Sequence, residues 1–320
     1  MSRSVLVTGA TTPLGVAFVN SLLADPEVSN VLALGVEERP AALVEHPELT
    51  YARSDLRRPR HIRRLLSGPV RELGIDTIVH TALHRSARDE GGAIHKLNVE
   101  STRLLLRLAA ASEHIKHFVY RSDATVYRVR VSAPQVLRED HALELTPDAP
   151  QWVRDRVEGD VIVCTHMGLV DLRIMVLRCA EILAPNMGSQ LADWLGSRMT
   201  LRPMGFDPMV NLLSLGDASE AMRLAVHSDK QAILNVPGAD TLPISRVAER
   251  NGRRCVDVPG PLMGPLYRLR GRARKGDFRY DLNHNRFHFS MVLDGRRASE
   301  VLGYQPSHPL QWPAVPAIRG

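Results

Sequence analysis

The chain has 320 residues, of which 44% are hydrophobic and 24% charged, and its formal net charge is +6. These values are typical of a folded globular protein with one large α/β domain or two modest ones, and they exclude an intrinsically disordered chain. The positive charge comes almost entirely from arginine, which does not by itself indicate nucleic-acid binding, and we expect none.

Metal sites, membrane spans and export signals are not expected. The three cysteines and thirteen histidines show none of the spacings typical of a disulfide framework or a metal site. The most apolar window, residues 161–177, is interrupted by His166, Asp171 and Arg173, whereas a membrane span needs about 20 apolar residues. The first residues run directly into an expected strand, without a secretory leader. We therefore predict a cytoplasmic protein without a bound metal.

Strands and helices alternate along the first half of the chain. Short β-branched runs predict strands, and apolar residues at helical spacing predict the helices between them. The expected elements are a strand at 5–8, a helix at 13–24, strands at 31–35 and 76–80, a helix at 93–111, a strand at 117–120, an apolar segment at 157–164 and a strand at 172–177. This alternation predicts a Rossmann-type, doubly wound parallel α/β sheet.

The pattern changes near Pro185, where proline and glycine become frequent and apolar pieces become short. We predict a sheet domain over residues 1–184 and a smaller C-terminal lobe over residues 185–320. The two are expected to interleave and to form one compact unit.

A glycine-rich turn follows the first strand and has the sequence TGATTPLG at residues 8–15. Such a turn directs free backbone N–H groups and a helix dipole at a pyrophosphate. The usual pattern is T-G-x-x-G-x-x-G, and the position of the middle glycine is occupied by Thr12, whose branched side chain is expected to crowd the phosphate. The loop residues predicted to contact a dinucleotide are Gly9, Thr11, Thr12, Pro13, Leu14 and Gly15.

Two acidic residues follow the second and third strands. Glu37 lies where a carboxylate accepts both ribose hydroxyls and disfavours a 2′-phosphate, while the nearby Arg39 leaves NADP open. Asp55 and Leu56 lie where an adenine contact is expected. Each acid alone is better explained as a solvated loop residue. Together, in register with the glycine turn, they favour NAD binding.

Six further segments, taken in order, resemble the extended short-chain dehydrogenase/reductase family, in its NAD-dependent epimerase/dehydratase branch. They are DTIVHTAL (76–83), LNVESTRLLLRLAAAS (97–112), HFVYRSDATVY (117–127), LRCAEILAP (177–185), NLLSLGDASEA (211–221) and LDGRRASEVLGYQP (293–306). The resemblance implies cofactor contacts from Thr81, Ala82, Leu83 and Asn98. It also implies an NAD(H)-binding sheet domain, a substrate lobe, and hydride transfer at a hydroxyl or ketone.

The three catalytic positions implied by the resemblance are all substituted. Asp123 stands at the position of the family's serine, Trp152 at its tyrosine and Arg156 at its lysine. An indole N–H does not ionise near neutral pH, so Trp152 cannot relay the proton that tyrosine relays. No Tyr-x-x-x-Lys occurs anywhere in the sequence. Ser122 and Tyr127 lie close by in sequence but are expected to pack structurally.

These substitutions leave several functions open. The first hypothesis is an NAD(H)-binding pseudoenzyme that serves as a nucleotide-responsive scaffold or binding module. The alternative is an NAD(P)-dependent oxidoreductase or epimerase for a nucleotide sugar or a lipid- or sterol-like alcohol, using a protonated Asp123, water or the substrate as acid/base. A third hypothesis, based on Thr12, is a protein that binds no nucleotide.

A basic apolar segment, PGPLMGPLYRLRGRARK, runs from Pro259 to Lys275. Such a segment can dock on an anionic membrane surface or hold an anionic small molecule, and a helix ending in a solvated basic turn explains it as well. A peripheral membrane location therefore stays open. The resemblance also implies a homodimer formed through two helices, one of which contains Trp152 and Arg156, or a protein partner.

Overall fold

The computed structural model describes residues 2–131, 134–273 and 277–313. The strands in chain order are β1 (Arg3–Thr8), β2 (Val28–Gly35), β3 (Leu49–Arg53), β4 (Thr77–His80), β5 (His117–Asp123), β6 (Val136–Leu137), β7 (Arg173–Cys179), β8 (Glu181–Ile182), β9 (Met199–Pro203), β10 (Met209–Leu213), β11 (Ala232–Val236), β12 (Asp240–Pro243), β13 (Arg254–Val258) and β14 (Val292–Leu293). Seven of them form one parallel sheet in the order β11-β7-β5-β4-β1-β2-β3. This is the doubly wound sheet that the alternating pattern predicts.

The helices in chain order are α1 (Pro13–Leu23), α2 (Pro59–Ser67), α3 (Pro69–Glu72), α4 (Gly92–His95), α5 (Ser101–Ala110), α6 (Gln151–His166), α7 (Gln190–Leu195), α8 (Leu215–His227), α9 (Ile244–Arg250), α10 (Gly260–Ala273), α11 (Tyr280–Asn283) and α12 (Arg296–Leu302). A π-helical turn, Lys96–Glu100, joins α4 to α5 where the sequence predicts one helix. The apolar segment at 157–164 is part of α6 rather than a separate element.

Side chains alternate between the two faces of the sheet and build a core on each side. In β1, Val5 and Val7 belong to one apolar cluster and Leu6 to the other, and all three are completely buried. This alternation follows from the twofold period of a strand. Helices therefore cover both faces, which explains why the central strands are apolar along their whole length.

The second half of the chain contributes to the sheet as well as to the C-terminal lobe. Its strand β11 adds the edge beside β7, and its helix α8 packs against α1. The remainder of this half includes a three-stranded sheet, β12-β10-β8, and the pair β13-β9. A third apolar cluster around Trp194, Ile244 and Phe287 holds this lobe together.

Within the described residues, no helix combines the length and the apolar character needed to cross a bilayer.

Candidate functional site

Two cavities open along the carboxyl edge of the sheet, where the strand order reverses between β1 and β4. Parallel sheets of this kind bind ligands at such a switch point. The larger cavity, the glycine-turn cleft, has a volume of about 420 Å³. The smaller one, the Asp123 pocket, has a volume of about 50 Å³. They share Thr12, Leu83, His84 and Arg85, so one elongated ligand could extend through both.

Most of the predicted residues line one cavity or both. The predicted residues of the glycine-turn cleft are Gly9, Thr11, Thr12, Glu37, Asp55, Leu56, Ala82 and Leu83. The predicted residues of the Asp123 pocket are Thr12, Leu14, Thr81, Leu83, Asp123, Trp152 and Arg156.

Two residues predicted to contact the cofactor, Asn98 and Gly15, line neither cavity, and a third, Pro13, lines a different one. Asn98 is buried behind the cleft, where its Oδ1 accepts a 2.8 Å hydrogen bond from the backbone N–H of His84. It therefore holds the backbone at His84, a residue that lines the cleft, and its predicted contact with the cofactor stays a prediction. Gly15 is also buried and acts through the shape of the turn. Pro13 lines a separate, open depression beside the turn.

The glycine turn is closely packed. Gly9 has φ = +73°, and a Cβ atom there would lie 3.0 Å from the Cα of Ala82. A Cβ atom on Gly15 would lie 2.2 Å from the carbonyl oxygen of Gly9. Because neither site has room for a side chain, the outer glycines of the motif are required by the fold of the turn itself.

Thr12, at the position of the middle glycine, caps helix α1. Its hydroxyl accepts a 3.0 Å hydrogen bond from the backbone N–H of Gly15 and donates one of 2.9 Å to the carbonyl of Gly9. The polar end of the side chain is therefore directed at the turn's own backbone, as is usual for a threonine N-cap.

A chain of buried hydrogen bonds forms the floor of the cleft. The hydroxyl of Thr8 accepts from the backbone N–H groups of Thr81 and Ala82, at 3.1 and 3.2 Å, so its proton is free to bond Nδ1 of His80, 2.8 Å away. Nε2 of His80 then donates to Thr102. This pattern needs a neutral imidazole. Burial lowers the pKa of His80 to about 4, which keeps it neutral at pH 7.

Glu37 presents a carboxylate at the rim of the cleft. It accepts a 2.6 Å hydrogen bond from the hydroxyl of Thr11 and lies 3.5 Å from a guanidinium nitrogen of Arg85. Partial burial alone would raise its pKa, but these neighbours hold it below the ordinary value. Arg39 instead donates to the carbonyl groups of Leu43 and Val44. The cleft therefore has a carboxylate at the position where the sequence predicts a ribose contact.

Asp55 lies deeper in the same cleft and is held by Arg57. The carboxylate accepts two hydrogen bonds from the guanidinium, of 2.9 and 3.0 Å. This contact is the main reason why the pKa of Asp55 lies below its ordinary value. Asp55 is therefore ionised and already partly satisfied.

The three substituted catalytic positions meet in the Asp123 pocket. Arg156 Nε donates a 2.8 Å hydrogen bond to Oδ2 of Asp123. The Arg156 guanidinium also stacks on the indole of Trp152, with its Cζ atom 3.2 Å from the ring centroid. Its two Nη atoms donate to the carbonyl oxygens of Trp152 and His84. All three side chains are buried, so Arg156 is held on every side.

Asp123 is the anion of this ion pair. Burial alone would raise its pKa, but the charges of Arg156 and Arg121, with a hydrogen bond from Thr125, hold the pKa below the ordinary value. The protonated Asp123, one of the three acid/base options of the alternative hypothesis, is therefore not the form that this pocket favours. An ionised carboxylate repels the negative charge that develops on a substrate oxygen during hydride removal.

No described residue lining the Asp123 pocket is a tyrosine or a lysine. Ser122 is buried on the opposite face of β5 and donates a 2.6 Å hydrogen bond to Asp160. The hydroxyl of Tyr127 bonds the side chain of Asn235, away from the pocket. Both therefore belong to the core, and for Ser122 the alternation of side chains along β5 predicts this.

Sequence reasoning did not identify Arg121 and Arg286, which also line this pocket. Arg121 lies two residues before Asp123 on β5, so the strand period alone could have placed both on one face. Arg286 comes from the C-terminal lobe, and no sequence signal connects it with β5.

The basic apolar segment forms helix α10 in the C-terminal lobe. Met263 is completely buried, whereas Leu262, Leu266 and Leu269 are exposed at helical spacing. Arg274 and Lys275, at the basic end, lie outside the described residues.

The sequence matches a known family over most of its length. Residues 5–221 match the model of the NAD dependent epimerase/dehydratase family. Uncharacterized protein Rv0501 of Mycobacterium tuberculosis is 27% identical over 99% of this chain and 82% of its own length. Uncharacterized protein YbjS of Escherichia coli is 27% identical over 94% of this chain and 93% of its own length.

Solved structures are similar at lower identity. A dTDP-glucose 4,6-dehydratase from Bacillus anthracis, in complex with NAD, is 17% identical with a TM-score of 0.70, over 96% of this chain and 92% of that one. A UDP-glucuronic acid 4-epimerase from Bacillus cereus, in complex with UDP-glucuronic acid and NAD, is 16% identical with a TM-score of 0.70, over 96% and 95%. Together these similarities confirm the predicted fold class.

Proposed function

The chain belongs to the NAD dependent epimerase/dehydratase family, as its motifs predict, and from that premise we propose that it binds NAD(H) without the family's usual hydride-transfer reaction. Its role is then that of a nucleotide-responsive scaffold or binding module. In the family, bound NAD supplies a hydride acceptor, and the chemistry depends on side chains that remove a proton from the substrate.

The glycine-turn cleft supports the nucleotide part of this proposal. The tightly packed Gly9 and Gly15 fix the shape of a turn that leads into the N-terminus of α1, where the helix dipole favours a negative charge. Glu37 is placed to accept ribose hydroxyls, and Asp55 lies where an adenine contact is expected. The residues present therefore fit NAD at its adenosine end.

The observation that carries the proposal is the immobilised Arg156. In the family's pattern, a lysine at this position lowers the pKa of a tyrosine. Here the arginine neutralises Asp123 and covers Trp152, and its own guanidinium does not release a proton in this pH range. The pocket therefore lacks the tyrosine that the family uses for proton transfer, and Asp123, the residue at the family's serine position, is already paired with Arg156. Proton transfer by a positioned side chain is worth about 10²–10⁴-fold in rate.

Calorimetric titration of the full chain with NAD, NADH and NADPH tests the binding half of the proposal. We expect NAD and NADH to bind, and NADPH to bind more weakly because of Glu37. If none binds at millimolar concentration, the protein takes no nucleotide and the proposal is wrong.

Incubation with NAD and a panel of alcohols and UDP-sugars, followed by NADH absorbance and product analysis, tests the catalytic half. We expect no turnover by the wild type. The variant Asp123→Ser with Trp152→Tyr and Arg156→Lys restores the family's catalytic residues, and turnover appearing in it would support the assignment. Turnover by the wild type that disappears in Asp123→Ala would instead establish the alternative, an oxidoreductase or epimerase with a non-standard site.

We also propose that helix α10 contacts an anionic membrane surface. Its three exposed leucines form an apolar stripe, and the exposed Arg268 lies among them, so an anionic lipid surface complements both features. Flotation with liposomes should depend on anionic lipid and should be lost in Leu266→Glu with Leu269→Glu. Equal flotation with neutral lipid, or no flotation, would contradict it.

Dimerisation through α6 likewise stays a prediction, and light scattering of the full chain measures it.

A further inference from the structure

Arg121 is a partly buried cation that lines the Asp123 pocket and has one unsatisfied, buried donor atom. Its Nε atom is buried and has no hydrogen-bond partner among the described residues. The nearby Cys179 is a weak acceptor, and burial raises the pKa of its thiol to about 11, so it supplies no counter-charge. A buried N–H donor without an acceptor destabilises the fold. An arrangement of this kind indicates a site prepared for a ligand.

The carboxylates of the pocket are already used by other arginines. Asp123 pairs with Arg156 at 2.8 Å, and Glu181 faces Arg286 at 3.6 Å. One oxygen of Glu181 also accepts a 2.6 Å hydrogen bond from the hydroxyl of Ser189. Because both carboxylates are paired in this way, the positive charge of Arg121 is left without a carboxylate partner of its own.

Arg286 reaches the same pocket from the turn Asn285–Phe287 of the C-terminal lobe. Its 3.6 Å separation from Glu181 is too long for a hydrogen bond, so its donors are only loosely engaged. Its side chain lines the pocket, and its charge contributes to holding the pKa of Asp123 below the ordinary value. A small anion between Arg121 and Arg286 would connect the sheet to the lobe.

The size of the pocket limits what can bind. A volume of about 50 Å³ compares with the roughly 10–15 Å³ that one water molecule needs, so the pocket admits a group of a few heavy atoms. A planar carboxylate has this size, and it accepts paired hydrogen bonds from guanidinium groups.

We propose that Arg121 and Arg286 bind the carboxylate group of a small organic acid in the Asp123 pocket. The inference rests on the proposed function because it assigns a ligand to the second of the two cavities. Binding of the anion is measured in the absence of nucleotide. Failure to bind the acid therefore leaves NAD binding by the same protein as a separate result.

Thermal unfolding and calorimetry of the full chain test the proposal with glucuronate and succinate, with inorganic phosphate, and with chloride at matched ionic strength. We expect the carboxylates to raise the unfolding midpoint above that in chloride. Arg121→Met should weaken their binding about tenfold or more, because a charge-assisted contact is lost. Arg286→Gln should weaken it as well, while Arg268→Gln, on the exposed side of α10, should not.

Stability without ligand separates a binding role from a structural one. Since Arg121 lacks a matched counter-charge, Arg121→Met should leave the unfolding midpoint unchanged or raise it. A lower midpoint without loss of carboxylate binding would overturn the proposal. So would carboxylates that act no more strongly than chloride, or phosphate binding in their place. Titration of NAD into the same variant shows whether the glycine-turn cleft remains intact.

Discussion

The glycine-turn cleft and the Asp123 pocket lie side by side on one sheet edge, yet they depart from the family's pattern to different degrees. The cleft keeps its two structurally required glycines and the Glu37 carboxylate that we propose accepts ribose hydroxyls, while Thr12 is accommodated as a helix cap. At the positions where the resemblance implies proton-transfer residues, the pocket has a buried ion pair stacked on an indole. Nucleotide binding relies largely on backbone shape, whereas proton transfer relies on particular side chains. The first can therefore persist while the second is lost.

The largest effect on stability is expected from breaking the ion pair of the pocket. Arg156→Met leaves the Asp123 carboxylate buried without its partner, and the free energy of unfolding should fall by about 3–5 kcal/mol. Urea denaturation at pH 7 measures this difference. The matched control Arg246→Met breaks an exposed ion pair with Glu249 and should cost at most about 1 kcal/mol. Equal losses of unfolding free energy in the two variants would show that the buried ion pair stabilises the fold no more than the exposed one.

Lowering the pH should reduce the stability of the fold through protonation of His80, which is buried beside the cleft. Its pKa in the folded protein is about 4, below the ordinary 6.5, so the unfolded chain binds the proton first as the pH falls. The contribution of neutral His80 to the free energy of unfolding is complete above pH 6.5 and is lost as the pH falls from 6.5 to 4. It amounts to about 3 kcal/mol. His117, whose pKa is lowered to about 4 as well, adds to the same slope.

Urea denaturation across this pH range should show a shallower slope for His80→Gln than for the wild type. The exposed His114→Gln serves as the control and should keep the wild-type slope. A slope unchanged in His80→Gln would mean that the hydrogen-bonded floor of the cleft does not depend on a neutral imidazole.

The glycine turn can be challenged directly. Gly15→Ala introduces a Cβ atom 2.2 Å from the carbonyl of Gly9, so the free energy of unfolding should fall by about 1–3 kcal/mol and NAD affinity should fall with it. Gly264→Ala adds the same atom to helix α10, where it meets nothing within 4 Å, and should be tolerated. Normal NAD affinity in folded Gly15→Ala would show that the close packing of the turn is not needed for binding.

The smallest of these effects is expected at the rim of the cleft. Glu37→Gln removes the charge proposed to accept ribose hydroxyls, so the Kd for NAD should rise about tenfold, and the preference over NADPH should narrow. Calorimetric titration measures both. The control Glu45→Gln changes an exposed residue and should leave the Kd for NAD and the preference over NADPH unchanged. If NADPH already binds the wild type as well as NAD does, the assigned role of Glu37 is wrong.

The sequence determined the sheet and the location of the site. Apolar runs and helical spacing were sufficient for the parallel strands, because burial on both faces leaves a continuous apolar signal. The turn at Gly9 and the acid at Glu37 could be located because their spacing from the first two strands is set by backbone geometry. The assignment of Asp123, Trp152 and Arg156 to the family's catalytic positions stays a prediction, made from the order of motifs in the sequence.

Only the tertiary structure decided how those substituted residues are used. That Asp123 is ionised depends on Arg156, 33 positions away in sequence, and the charge of the pocket depends on Arg286 from the other lobe. Likewise, the role of Asn98 followed from its bond to the backbone of His84, which no motif specifies. Pairings between distant side chains are created by folding, and because electrostatic energies depend on distance and burial, they cannot be obtained from the order of residues alone.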